Sequence, residues 1–348
     1  MTDSPPAATL DEIRGLMAEL PGPDLAAASA AATREAQLTK PPGSLGRLEE
    51  LALWLAQWQG RHPPRMEHPR VAVFAGNHGV AGRGVSAYPA EVTQQMVQNF
   101  IAGGAAVNQL AALAEADLRV YELALEQPTA DFTEGPAMTE EDCARAIAYG
   151  MMAVETGFDV LALGEMGIAN TTSGAAVCQG LFGGSAADWV GRGTGVDDRG
   201  LERKRAAVAQ GVEANAAAMT GPAGRPDPFQ VLRCLGGLEL AAIAGAVLAA
   251  RMARTPVLLD GFTCCAAAAV LFAVDPRALD HCVVSHRSAE AGHDRLLEAI
   301  EKPPLLDFGL RLGEASGAAL AVQVLKAAVA CHAGMATFAE AGVSVPGA

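Results

Sequence analysis

Glu314 is the residue whose surroundings most strongly favour a chemical role. It stands in LRLGEASGAALA, at the head of an almost entirely apolar run. If a helix begins near Gly313 and turns about 100° per residue, Gln323 and Lys326 fall roughly opposite Glu314. This phase predicts that Glu314 faces inward, where a carboxylate beside a ligand cleft is a candidate general base. Burial would raise its pKa and a helix N-terminus would lower it, so the balance stays open.

A second candidate is the stretch GEMGIANTTSGAAV, in which glycines permit a tight turn before a run of polar residues. Any of the polar residues 170–173 can cap the helix that follows. A helix N-terminus with free N–H groups and hydroxyls binds anions. The stretch is compatible with a phosphate site and equally with an ordinary capped turn.

The stretch GRGTGVDDRGLERKR, residues 191–205, concentrates positive charge in an acidic protein. Its basic residues are Arg192, Arg199, Arg203, Lys204 and Arg205. A solvated helix capped by Asp197 or Asp198 accounts for most of them, and one cation turned inward is enough to hold a phosphate.

Several common signatures are missing from the sequence. There is no GxxxxGK[ST] for a P-loop, no strict GxGxxG opening a helix after a strand, and no GxSxG elbow. Asp197 and Asp198 lack a preceding apolar strand, so a pyrophosphate-and-magnesium site is not predicted. Among the histidines that could act as ligands or acids, which include His286, we expect His78 to be functional because it directly follows a strand. We expect a capping or buried structural role for His293.

The elements that position these residues follow an alternating pattern. Helical stretches separate candidate strands at 71–76, 118–125, 158–165, 256–261 and 281–286. Most of these strands are continuous apolar runs, which is typical of parallel strands covered on both faces. The pattern predicts an α/β fold with a doubly wound, mostly parallel sheet. A further helix is predicted from Gly313 to about Thr337. Since polar turns follow several strands, we expect one composite site at the carboxyl edge of the sheet.

Composition excludes several classes of function. The chain has 348 residues and a formal net charge of −14, which argues against a nucleic-acid or anionic-membrane surface. Its seven cysteines form no CxxC pair, so reduced thiols are expected. The N-terminus has no signal-peptide pattern, and apolar runs such as LAAIAGAVLAARM are interrupted by charge. We therefore expect a soluble, cytoplasmic protein.

Six sequence blocks occur in an order that resembles one known family. They are KPPGSLGRLE, GNHGVAGRGVSAYPAEVTQQM, GEMGIANTTS, GRGTGVDDRGLERK, SHRSAEAGH and LLDFGLRLGEASGA. Together they resemble the nicotinate-nucleotide:dimethylbenzimidazole phosphoribosyltransferase family, over residues 40–318. The resemblance implies transfer of phosphoribose from nicotinate mononucleotide to 5,6-dimethylbenzimidazole, giving α-ribazole 5′-phosphate and nicotinate. It implies no cofactor and no metal.

The resemblance also implies roles for individual residues. Glu314 is then the general base. The acceptor site is predicted to comprise Ser86, Tyr88, Gln94 and Leu312. The donor site is predicted to comprise Glu165, Gly167, Asn170, Thr171, Gly193, Gly195 and Lys204. The sequence departs from the family pattern at Ala169, where glycine is expected, and at Ala315 and Ser316, where Gly-Thr is expected.

The resemblance further implies a homodimer with two domains. Residues 65–312 would form a large Rossmann-like domain, and residues 1–64 with 313–348 a small helical domain. Transfer to a different azole or to a purine remains open. A nucleotide-binding oxidoreductase is disfavoured because no GxGxxG is followed by an acidic residue about 20 positions later. A non-catalytic nucleotide sensor is a third option, against which the presence of Glu314 speaks only mildly.

Overall fold

The computed structural model of the protein describes residues 8–344. Six parallel strands form a single sheet in the order β2-β1-β3-β4-β5-β6. The strands are β1 (Pro69–Gly76), β2 (Asp117–Leu123), β3 (Val160–Met166), β4 (Val257–Leu259), β5 (Cys282–His286) and β6 (Pro304–Leu306). All five predicted strands are confirmed. The sequence did not reveal β6, since three residues at a sheet edge carry no recognisable pattern.

Helices fill the intervals between the strands, as the alternation predicts. They are α1 (Leu10–Met17), α2 (Leu25–Glu35), α3 (Arg47–Gln59), α4 (Glu91–Ile101), α5 (Ala106–Leu113), α6 (Glu140–Met151), α7 (Asn170–Phe182), α8 (Ala186–Trp189), α9 (Asp198–Met219), α10 (Pro228–Leu235), α11 (Leu238–Met252), α12 (Phe262–Val274), α13 (His293–Ala299), α14 (Ser316–Gly334) and α15 (Phe338–Ala341). Two short 3₁₀ helices lie at Gly79–Arg83 and Pro276–Leu279.

The sheet is covered on both faces, which explains its continuous apolar strands. Every residue of β1 is buried, and so are all but one of β3. Helices α6, α11 and α12 cover one face, and α3, α4, α5 and α14 cover the other. The doubly wound α/β fold is therefore confirmed.

Helix α14 contacts both parts of the predicted domain division. It packs on α3 from the N-terminal region and also on β1, β3 and β5. The small helical domain of 1–64 with 313–348 stays a prediction, and its residues 1–7 and 345–348 lie outside the described part of the chain. Helix α14 is long and apolar enough to cross a membrane. Its buried alanines and leucine nevertheless belong to the core on one face of the sheet.

The strand order places a crevice at one point of the sheet. Strand β1 lies between β2 and β3, so the chain winds to opposite sides of β1. In open parallel sheets, ligands bind beyond the carboxyl ends of the strands at such a switch point. The loops that follow β1 and β3 are therefore the expected location of a ligand site.

Candidate active site

A cavity of about 830 Å³ opens at the carboxyl ends of β3, β4 and β5. Eight predicted site residues line it: Tyr88, Glu165, Gly167, Asn170, Thr171, Gly193, Leu312 and Glu314. The structure thus brings together residues that lie more than 200 positions apart in the sequence. The prediction of one composite site at this edge of the sheet agrees with the cavity.

The other four predicted site residues do not line the cavity. Lys204 and Ser86 lie directly behind its wall, where each contacts a threonine that does line it. Gln94 is exposed on α4, because Val92 and Met96, four positions apart, occupy the face of that helix that lines the cavity. Gly195 is exposed in the turn before α9.

Glu314 reaches the cavity through a turn and not through a helix. Helix α14 begins only at Ser316, and Glu314 and Ala315 both have φ of +60°. The helical phase predicted for Glu314 is therefore wrong, although its inward position is confirmed by an exposure of 7%. Gly313, with φ of +82°, makes this turn possible, since a Cβ there would lie 2.5 Å from Oε1 of Glu165.

The sequence left open whether the pKa of Glu314 is raised or lowered, and burial decides this in favour of a raised pKa. Burial and the nearby charge of Asp260 raise the pKa of Glu314 to about 7. Burial, opposed by a hydrogen bond from Asn170, and the charges of Asp260, Glu239 and Glu314 raise the pKa of Glu165 to about 8. Both carboxyl groups therefore hold a proton more readily than an exposed glutamate does, which is the property expected of groups that transfer protons near neutral pH.

The residues that carry this chemistry form what we call the cavity cluster. Its members are Glu165, Asp260, His286 and Glu314. Sequence reasoning named His286 only as a possible ligand or acid and assigned Asp260 no role. The available signal was position, because Asp260 directly follows β4 and His286 ends β5.

A buried cation lies directly behind Thr171, one of the residues that line the cavity. Lys204 is 1% exposed and donates a hydrogen bond of 2.8 Å to Oγ1 of Thr171. Burial lowers the pKa of Lys204 to about 8, and the nearby Glu290 opposes this shift. Arg311, which sequence reasoning missed, lines the cavity and donates a hydrogen bond of 2.8 Å to the carbonyl of Gly193.

The remaining basic residues of 191–205 behave as solvated surface groups. Arg192 and Arg205 pair with acidic neighbours at the surface, and Arg199 is exposed. Asp197 accepts from the backbone N–H of Gly200 and caps α9, as predicted. A single cation of this stretch, Lys204, is therefore buried toward the cavity.

Helix α7 begins at the cavity without the predicted side-chain cap. Its N-cap position is Ala169, whose methyl group accepts no hydrogen bond. The polar residues that follow bond across the site instead. Asn170 donates to Glu165, Thr171 accepts from Lys204, and Ser173 contacts His78. These side chains connect α7 to neighbouring elements and do not cap the N–H groups at its N-terminus.

His78 belongs to a buried cluster just behind the cavity wall, since a Cβ on the lining residue Gly167 would lie 3.2 Å from Oε1 of Glu239. Its Nδ1 lies 2.9 Å from Oγ of Ser173, and its Nε2 lies 2.5 Å from Oε1 of Glu239. All three side chains are at most 2% exposed, and none lines the cavity. We call these three residues the sealed cluster. The structure does not support the expectation that His78 acts in the site, because its buried ring bonds to residues of α7 and α11 and lines neither large cavity.

Two further features bear on the site. A second cavity of about 760 Å³ lies beyond β2, but its arginines are engaged by Asp142 and Gln230, and Glu165, Lys204 and Glu314 do not line it. Within residues 8–344, no group of three or more His, Cys, Asp or Glu side chains is arranged to hold a metal ion. The 830 Å³ cavity is thus the better candidate for the chemistry.

Comparison with known proteins agrees with this arrangement. A family model described as "Phosphoribosyltransferase", DBI_PRT, matches residues 20–343. The chain belongs to this phosphoribosyltransferase family. Curated relatives named nicotinate-nucleotide–dimethylbenzimidazole phosphoribosyltransferase include one from Ruegeria sp. strain TM1040, 58% identical over 98% of this chain and 99% of the relative. Another, from Roseobacter denitrificans, is 60% identical over 97% of this chain and 98% of the relative.

Solved structures show the same relationship. The crystal structure of a phosphoribosyltransferase from Thermus thermophilus, named for the same two substrates, aligns with a TM-score of 0.84 and 42% identity. The alignment covers 92% of this chain and 99% of that one. A second structure from that organism, named CobT, gives a TM-score of 0.82 at 43% identity, covering 91% of this chain and 99% of that one.

Two of the three residues that depart from the expected phosphoribosyltransferase pattern, Ala169 and Ala315, lie at strained positions. Ala169 has φ of +78° and Ala315 has φ of +60°. Both values lie in the left-handed region that favours glycine. The glycines expected from the resemblance therefore have a conformational reason, and this chain makes the same two turns with alanine.

Proposed function

We propose that the protein transfers the phosphoribosyl group of nicotinate mononucleotide to a ring nitrogen of 5,6-dimethylbenzimidazole. The observation that carries this proposal is the cavity itself, which is lined by a buried carboxylate, Glu314, and has a buried cation, Lys204, directly behind its lining residue Thr171. The names of the curated relatives supply the two substrates.

The reaction requires one base and no acid. The bond between C1′ of the ribose and the pyridinium nitrogen breaks, and its electron pair stays on that nitrogen, so nicotinate leaves with a neutral ring nitrogen. The unprotonated nitrogen of the acceptor uses its lone pair to form the new bond to C1′. The other acceptor nitrogen then gives its N–H proton to Glu314, which restores a neutral azole ring.

Glu314 suits this task because of its position and its pKa. A base with a pKa of about 7 is substantially ionised at neutral pH and still binds a proton well. The negative charges of Glu314 and Asp260 also support the positive charge that develops on the ribose as the donor bond breaks. Glu165, whose pKa is raised to about 8, would remain mainly protonated.

The part of the cavity in front of Lys204 suits the donor phosphate. We assign the phosphate to the region of Thr171 and Gly193, in front of the Lys204 ammonium. A buried cation interacts strongly with a phosphate, since little water screens the pair. Bound phosphate would in turn raise the pKa of Lys204.

Apolar side chains suit the flat acceptor ring. Tyr88, Val92, Met96, Phe262 and Leu312 contribute to the cavity wall. Such surfaces bind aromatic rings with few polar contacts, so shape and ring stacking would decide which base is accepted.

The direct test combines the purified protein with nicotinate mononucleotide and dimethylbenzimidazole and follows nicotinate and α-ribazole 5′-phosphate by chromatography and mass spectrometry. We expect equimolar formation of the two products. Parallel reactions with adenine and unsubstituted benzimidazole measure acceptor preference. Product from adenine alone would assign the protein to purine transfer, and no product with any acceptor across the range from mildly acidic to mildly alkaline pH would reject the proposed reaction.

We also infer that the protein works as a cytoplasmic homodimer without nucleic acid. Large apolar side chains remain exposed near the cavity mouth, including Tyr88 at 55%, Leu312 at 56% and Phe308 at 66%. A second copy that covered them would remove apolar surface from water. Light scattering at micromolar concentration should give twice the chain mass of 35.6 kDa, and the chain mass itself would reject the dimer.

A further inference from the structure

Asp260 supplies the hydrogen bond that helix α14 cannot make for itself. The N-cap position of α14 is Ala315, whose side chain has no acceptor. Oδ1 of Asp260, at the end of β4, accepts from the backbone N–H of Ala318 at 2.9 Å. An acidic acceptor at a helix N-terminus is favoured both by the free N–H group and by the helix dipole. The capping residue of this helix therefore comes from the sheet and not from the chain preceding the helix.

This cap acts directly on the turn that presents Glu314. Ala318 is four residues beyond Glu314, and the intervening Ala315 has a strained left-handed backbone. A turn of this kind persists only where its surroundings hold it. Within the turn, the backbone N–H and the hydroxyl of Ser316 both donate to the carbonyl of Gly313, and two further bonds come from outside it. The N–H of Glu314 donates to the carbonyl of Glu165 at 3.1 Å, and Asp260 fixes the first turn of α14.

His286 stands on the other side of Asp260. Its Nε2 lies 3.5 Å from Oδ1 of Asp260, and both side chains are 1% exposed. Both ring nitrogens lack a hydrogen-bond partner among the described residues. The ring also lies against the first turn of α14, since a Cβ on Gly317 would lie 1.9 Å from Cδ2 of His286. His286 therefore touches both the capping carboxylate and the helix that it caps.

We propose that Asp260 and His286 form a positioning pair that holds Glu314 over the cavity and controls how readily its carboxylate accepts a proton. The inference rests on the proposed role of Glu314 as the base. Asp260 fixes the turn and contributes a negative charge. His286 partly neutralises that charge and keeps Asp260 directed at α14.

The charges around Glu314 predict opposite effects for the two members of the pair. Asp260 acts on Glu314 directly, and the charged or titratable groups that line the same cavity are Glu165, His286, Glu290 and Arg311. Glu239 acts on Glu165, and Lys204 lies behind Thr171. Burial lowers the pKa of His286, but the Asp260 carboxylate outweighs this effect and raises it. Whenever the ring of His286 is protonated, its positive charge offsets part of the effect of Asp260 on Glu314. Loss of the Asp260 charge should lower the pKa of Glu314, and loss of His286 should raise it.

The test follows the carboxyl carbon of Glu314 by NMR in protein labelled with ¹³C at glutamate, with the resonance assigned by its loss in Glu314→Gln. Asp260→Asn keeps an acceptor for the Ala318 N–H and removes only the charge. We expect the titration midpoint to fall on the order of one pH unit in this variant. We expect a smaller rise in His286→Gln. The same directions should appear in the acid limb of kcat/KM for the acceptor with the donor saturating.

Glu115→Gln is the matched control. Glu115 pairs with Lys326 on the same helix α14, is exposed, and lies outside the cavity. Its loss removes one negative charge from the helix surroundings and should leave the Glu314 midpoint unchanged. Equal midpoints in the wild type, Asp260→Asn and His286→Gln would overturn the inference.

The NMR titration separates this inference from the proposed function, because it needs no turnover. A wild type that forms no product, yet shows the two opposite shifts, would reject the base-transfer reaction and support the positioning pair. A wild type that forms product without those shifts would do the reverse. If Asp260→Asn fails to fold, the upward shift in His286→Gln decides alone, since a merely structural role for the ring predicts no shift of that sign.

Discussion

The protein has two buried polar clusters, and they differ in whether a cavity is open to them. In the sealed cluster, the ring of His78 is bonded on both sides, to Ser173 and Glu239, and none of the three residues lines either of the two large cavities. In the cavity cluster, Glu314 and Glu165 line an open space, and both ring nitrogens of His286 are unpartnered among the described residues. A buried histidine with an acidic neighbour is thus not a sufficient sign of a catalytic site.

The comparison teaches that access to a cavity marks the reactive cluster, since each cluster contains a buried oxygen or nitrogen atom without a hydrogen-bond partner among the described residues. The sealed cluster resembles a Ser-His-Glu triad in composition, but its serine hydroxyl cannot reach a substrate. The cavity cluster has no nucleophile, yet it holds carboxyl groups whose pKa values are raised to about 7 and about 8. Perturbed groups facing a cleft are candidates for proton transfer, whereas polar groups enclosed in the interior join elements of the fold.

Glu314→Gln should have the largest effect on turnover and should therefore distinguish the two clusters most clearly. This variant keeps the size and polarity of the side chain but cannot accept the proton, so turnover should fall roughly 10²- to 10⁴-fold. Initial rates of α-ribazole 5′-phosphate formation measure the loss, and calorimetry should show both substrates still bound. A kcat within threefold of the wild type would remove Glu314 as the base.

Lys204→Met tests whether Lys204 serves the donor and not the acceptor. Loss of a buried, charge-assisted contact to phosphate should raise KM for the donor roughly 10- to 100-fold. KM for the acceptor should change by less than threefold. Steady-state kinetics with each substrate varied in turn decide the matter, and an equal effect on both substrates would place Lys204 outside the donor site.

Ser173→Ala tests the opposite expectation for the sealed cluster. The change leaves Nδ1 of His78 buried without its partner, so the free energy of unfolding should fall by about 1–3 kcal/mol. Turnover per folded molecule should stay within threefold of the wild type. Urea unfolding and initial rates are the two measurements. A loss of turnover as large as that of Glu314→Gln would show that the sealed cluster takes part in the reaction.

The smallest change in stability is expected at Ala169, which lies between the two clusters. Ala169 precedes Asn170, which reaches Glu165, and Ser173, which reaches His78. Because Ala169 has φ of +78°, Ala169→Gly should relieve strain and raise the free energy of unfolding by about 0.5–1 kcal/mol. Thermal unfolding measures this gain. A decrease in stability would mean that the left-handed turn is not strained.

The sequence predicted the sheet well because its strands are covered on both faces and therefore read as continuous apolar runs. It predicted the composite site because polar turns follow those strands. It could not predict the turn at Glu314, since two consecutive non-glycine residues in the left-handed region contradict local preference and depend on tertiary contacts.

The sequence also could not distinguish His78 from His286. Each histidine follows or ends a strand, and each has an acidic neighbour supplied by a distant part of the chain. Only the three-dimensional arrangement shows which of the two reaches a cavity. The role of Asp260 was similarly hidden, because it caps a helix that begins 56 positions later in the sequence.

The pH dependence of kcat/KM for dimethylbenzimidazole, measured with saturating donor in the wild type and in Glu314→Gln, tests the central claim most directly. The base acts when it is deprotonated. Since burial and Asp260 raise the pKa of Glu314 to about 7, wild-type kcat/KM should rise with pH through that value and level off above it. The residual activity of Glu314→Gln should lack this inflection. The same inflection in both proteins would contradict the account, because the ionising group would then not be Glu314.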